Sequence, residues 1–201
     1  MGGAALSVVG LVLLMVWSAG KPWHQTAFCV YGACLIFLYL ASTLYHSLHG
    51  GPRRIDRLLM IDQVGIYLLI AGTYTPVCLI TLRGTVGYSL LAVIWAIAIV
   101  GIAVRILWRG APPWLCVSAY LVMGWLCVTA AQPLAHAISP VGFSWLFAGG
   151  VIYTVGAVVF ATQRPRLWPG VFSSHELWHC FVLAGSACHY MMMVQGVLPR
   201  S

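Results

Sequence analysis

Phe172–Val194 reads FSSHELWHCFVLAGSACHYMMMV, an almost uninterrupted apolar run that is long enough to cross a bilayer, which takes about 20 residues as a helix. Inside it, Ser174-His175-Glu176-Leu177-Trp178-His179 sets two imidazoles four residues apart. Positions i and i+4 leave the same helix face, so both rings can grip one metal ion. Polar groups at membrane depth are costly unless partnered. A metal would offset that cost; hydrogen bonds to neighbouring helices are the competing account, and this stretch alone does not decide between them.

The rest of the chain supplies the context. Of its 201 residues 62% are hydrophobic and 6% charged, and the mean hydropathy is +0.96. That is too apolar for a water-soluble domain, so the chain is an integral membrane protein. The formal charge of +7 raises nucleic acid as a partner, but the ten cations are scattered at the edges of apolar runs. They read as topology determinants, and no nucleic-acid partner is expected. The seven cysteines all fall inside apolar runs without a C-x-x-C pair. This excludes a disulfide framework and a zinc-thiolate site, and leaves them as small packing residues.

Hydropathy marks seven runs: Ala4–Ala19, Thr26–Leu48, Ile55–Leu82, Tyr88–Trp108, Trp114–Ala131, Val141–Ala161 and Phe172–Val194. The breaks carry glycine, proline and arginine, as in Gly50-Gly51-Pro52-Arg53-Arg54 and Gly110-Ala111-Pro112-Pro113. No linker separates domains and no repeat is evident, so residues 1–201 are expected to form a single seven-helix transmembrane domain, all-α throughout. The first run resembles a signal peptide in length but lacks a cationic n-region, which favours a retained helix. If the N-terminus lies on side A, that side receives Arg53, Arg54, Arg57, Arg105, Arg109, Arg164 and Arg166, and side B receives Lys21, Arg83 and Arg200. The asymmetry makes side A cytoplasmic, with the N-terminus cytoplasmic and the C-terminus outside.

Only three carboxylates are present, Asp56, Asp62 and Glu176. Asp56 sits among arginines at a helix start, where an ion-pair or helix-start role suffices. Asp62 falls about two turns into the third run, where a lone carboxyl ionises at high cost unless a cation or strong donor is close. The second run ends Ser42-Thr43-Leu44-Tyr45-His46, with Ser42 and His46 on one face. In the seven-helix topology His46, Asp62, His175 and His179 all fall at similar depth in the cytoplasmic leaflet. His24, His136 and His189 belong to side B and read as loop or hydrogen-bonding residues, whereas His49 competes with His46 from the adjacent loop. Three imidazoles with an oxygen in the fourth position suit Zn²⁺. Asp62 and Ser42 could orient a water there, as catalytic groups. A zinc that only ties helices together is the alternative.

His175-Glu176-Leu177-Trp178-His179 also matches H-E-x-x-H, which would make Glu176 the base of an intramembrane metalloprotease. No carboxylate follows His179 to complete that ligand set. Taken together, Ser42-x-x-x-His46, Asp62-x-x-Gly65-Ile66 with Ala71-Gly72-Thr73-Tyr74-Thr75-Pro76, and Ser174-His175-x-x-x-His179 resemble the hemolysin III family, bacterial relatives of the progestin and adipoQ receptors. The resemblance spans nearly the whole chain and departs only at the start, where members usually carry a further segment. It implies a seven-helix bundle in a bacterial inner membrane, with zinc on His46, His175 and His179 and Asp62 reaching it through water. It further implies a ceramidase-like hydrolase acting on a membrane-lipid amide or ester in membrane-lipid homeostasis, with lipid substrate or ligand between the helices. A receptor-like or membrane-state sensor with structural zinc is the non-enzymatic alternative; a cytolysin follows from the family name alone.

Overall fold

The computed structural model describes residues 2–48, 50–108, 110–165 and 174–200, with side chains at all of these except 113 and 174–176. The described residues fold into helices: α1 Gly2–Trp17, α2 Pro22–Ser47, α3 Pro52–Pro76, α4 Thr85–Leu107, α5 Pro113–Trp125, α6 Ala131–Ala137, α7 Pro140–Thr162 and α8 Ser174–Met192. Six stretches are long and apolar enough to cross a membrane, and α1 is a shorter apolar helix. Among the described residues there is no strand. The all-α, seven-helix membrane architecture expected from hydropathy is the one observed.

Four helices, α2, α3, α5 and α7, begin on a proline. Proline lacks the N–H that a first-turn residue cannot use anyway, and its fixed φ is already helical. Hydropathy counts these prolines as loop, which is why the expected runs start later than the helices. The ends are set by backbone chemistry. Gly84 precedes α4 at φ +94°, where a side chain would be strained, and Gln163 closes α7 in the left-handed conformation.

Two expectations are corrected. The fifth run was expected to stop at Ala131, but helix continues to Ala137 after a tight 3₁₀ turn, Leu126–Ala130. Pro133 cannot bond to the carbonyl four residues back, and the preceding turn tightens instead. The last run continues past Val194 through a π-helical turn, Met193–Val197. A second π-helical turn, Val77–Thr81, follows Pro76.

The chain forms two compact units, residues 1–112 with 200–201, and residues 113–199. In the first unit α2 packs on α1 and α3, and α3 on α4. The α2–α3 approach is close because a Cβ at Gly72 would stand 2.8 Å from Cys34 Cβ and one at Gly65 would stand 3.1 Å from Leu38 Cα. Their antiparallel register brings Ala41 and Asp62 into the buried interior. The cations expected on side B gather in this unit. Lys21 Nζ and His24 Nε2 donate to the Arg200 carbonyl at 3.4 and 2.7 Å, and Arg83 acts electrostatically on His24. His24, read from sequence as a loop residue, lies in the first turn of α2 and is buried.

In the second unit α7 and α8 run antiparallel along a seam of small residues. Gly142, Gly149 and Gly156 recur every seven positions on α7 and meet in turn Gly196 of the π-helical turn that follows α8, and the His189 ring and Phe181 of α8 itself. Phe160 and Trp178 continue the same register, with ring centroids 5.7 Å apart.

Candidate functional site

α3 lies between α2 and α4 in the first unit, and two consecutive residues of α3 engage those two neighbours. The Ser42 hydroxyl of α2 donates a hydrogen bond to the Asp62 carboxylate, which is 9% exposed. Adjacent residues on a helix point about 100° apart, so Gln63 faces α4, where its Oε1 accepts from Arg105 Nε. Asp62 therefore has one hydroxyl donor from a neighbouring helix. His46 stands one turn after Ser42 in the last turn of α2, exposed, its ring edge-on to Tyr45 at 4.8 Å and 69°. Asp56 is exposed in α3 beside Arg53, Arg54 and Arg57.

The two-histidine stretch begins α8 in the second unit. His175 and Glu176 lie outside the residues whose side chains are described, as does His49. His179 is half-buried. The α7 seam uses Trp178, Phe181, Gly185 and His189, and His179 is turned about 100° from Trp178. Its own stripe continues one and two turns on with Val182 and Ser186, both buried. Among the described residues no three His, Cys, Asp or Glu side chains converge to hold a metal.

His189 shows what the competing hydrogen-bond account looks like when it applies. Its Nδ1 lies 3.1 Å from the Gly185 carbonyl, and its ring stacks on Tyr153 with centroids 5.4 Å apart and planes within 19°. Tyr153 in turn shares a 2.8 Å hydrogen bond with Ser186. Sequence reading missed this cluster and the Gln63–Arg105 bond. The signal for the first was the heptad of glycines on α7, which marks where a bulky ring can enter.

Comparison with known proteins decides the family. The family model described as "Haemolysin-III related" matches residues 1–190. The chain belongs to the haemolysin III-related family. This haemolysin III-related protein is 43% identical to "Hemolysin-3" of Bacillus cereus, over 99% of its own length and 89% of that protein. It is 40% identical to the "Hemolysin-3 homolog" of Bacillus subtilis (strain 168), over 96% and 88%. A weaker relative in the progestin and adipoQ receptor-like group, the human "Monocyte to macrophage differentiation factor", is 27% identical over 92% and 75%. The haemolysin III-related chain is thus a multi-pass integral membrane protein.

Proposed function

We propose that this protein is a zinc-dependent hydrolase of a membrane-lipid amide or ester, ceramidase-like in its chemistry and serving lipid homeostasis in a bacterial inner membrane. The observation that carries the reading is the Ser42–Asp62 pair. A hydrogen bond that only ties α2 to α3 could be made by an amide, without the desolvation cost of a carboxyl. This chain has three carboxylates in all and sets one of them 9% exposed within a span. A group held that way is suited to taking a proton.

The proposed metal ligands are His46, His175 and His179. They are all imidazoles, a donor set that suits zinc, and His46 shares a helix face with Ser42. Zinc, when bound, supplies Lewis acidity that polarises an acyl carbonyl and acidifies water. Asp62 accepts the proton of the attacking water at a carboxylate oxygen. Ser42 fixes the orientation of that carboxylate and leaves its remaining lone pairs for the water. Apolar helix surface accommodates the acyl chains of a lipid substrate.

The test uses purified, zinc-loaded protein with fluorescent N-acyl and O-acyl lipids. Wild type releases fatty acid, and Asp62→Asn retains zinc but does not turn over. Turnover surviving in Asp62→Asn removes Asp62 as the base. Zinc bound by wild type with no turnover on any lipid favours the receptor-like or membrane-sensing alternative.

A further inference from the structure

Arg105 occupies the last turn of α4, where a cation suits the helix dipole and where an arginine in a membrane span ordinarily extends its head towards water. Here it is turned to α3 instead. Its Nε donates to Gln63 Oε1, the side chain is half-buried, and among the described residues it makes no further hydrogen bond or ion pair. Neither described carboxylate neutralises it: Asp62 is committed to Ser42, and Asp56 lies exposed two turns earlier on α3. A guanidinium carries five donors on a rigid plane. With Nε engaged, the edge formed by its two terminal nitrogens remains, and that edge matches two oxygens of one phosphate. Ile106, Leu107 and Trp108, which follow it, are exposed apolar residues, with Leu107 83% exposed. They offer acyl-chain contact beside the charge.

We infer that Arg105, held by Gln63 where α4 packs on α3, binds the phosphate of an anionic membrane-lipid headgroup. This site is built from the first unit alone and does not depend on zinc or on hydrolysis.

The test is native mass spectrometry of the full chain in detergent, titrated with phosphatidylglycerol, with neutral diacylglycerol and with inorganic phosphate. Wild type retains phosphatidylglycerol in preference to diacylglycerol. Arg105→Gln weakens that retention about tenfold, the scale of one charge-assisted bidentate contact, and Arg105→Lys recovers it only in part. Arg57→Gln, which removes an exposed cation of α3, leaves it unchanged. Should Arg105→Gln fail to fold, Gln63→Leu keeps the charge but releases the tether, and it is expected to weaken retention as well. Equal retention of diacylglycerol and phosphatidylglycerol, or retention unaffected by both Arg105→Gln and Gln63→Leu, would overturn the site. Displacement of the lipid by millimolar inorganic phosphate would show a free-phosphate site and overturn the lipid assignment.

Discussion

Most hydroxyls in the spans return to their own helix. Thr73, Thr75 and Thr154 each donate to the carbonyl four residues back, at 2.8, 2.9 and 2.7 Å, which satisfies them locally and asks nothing of a neighbour. Ser42 crosses to another helix and meets a carboxyl. If Asp62 is the base, then removing its partner loosens it without removing it. Ser42→Ala is expected to lower turnover about 10- to 100-fold with zinc content unchanged, and Ser42→Thr to keep most activity; parallel fatty-acid release and elemental analysis would check this. Loss of zinc together with activity in Ser42→Ala would place Ser42 in metal retention instead. Both residues were legible in the sequence, because a carboxyl inside a hydrophobic run is conspicuous. Their bond was not, since it depends on how closely two helices approach.

That approach is decided at the scale of the element. Gly65 and Gly72 on α3 leave room for Leu38 and Cys34 of α2, and close backbone approach through small residues is how membrane helices gain packing energy without a hydrophobic driving force. Gly72→Leu would force the pair apart. It is expected to destabilise by about 1–3 kcal/mol and to lower the thermal unfolding midpoint in detergent, while Gly124→Ala, where a Cβ meets nothing within 4 Å, is expected to leave it unchanged. An unaltered midpoint in Gly72→Leu would mean that α2 and α3 do not pack this tightly. The existence of every span was legible, because long apolar runs have no alternative in a bilayer. Their ends were less so: prolines counted as breaks prove to be first-turn residues, and Pro133 interrupts a span by way of a 3₁₀ turn rather than ending it.

For the whole molecule, the distribution of arginine and lysine predicts a cytoplasmic N-terminus and an external C-terminus. The gathering of Lys21, Arg83 and Arg200 around His24 agrees with their assignment to one side. A periplasm-dependent phosphatase fused after Ser201 is expected to be active, and the same enzyme inserted at Ala111 inactive. The reverse pattern would invert the orientation and place Asp62 in the opposite leaflet. Family and membrane class were readable from motifs spread over the chain, because each motif must sit on a particular helix for the others to matter. Metal and substrate are not readable in that way, since His175 and His179 belong to a different unit from His46 and Asp62.

The most direct test is therefore the zinc itself: elemental analysis of detergent-purified wild type beside His46→Ala, His175→Ala and His179→Ala. About one zinc per chain in wild type, lost in each variant, is the predicted result for a three-histidine site. Metal-free wild type, or zinc retained without His46, would contradict the account and return these histidines to hydrogen-bonded packing of the kind His189 shows.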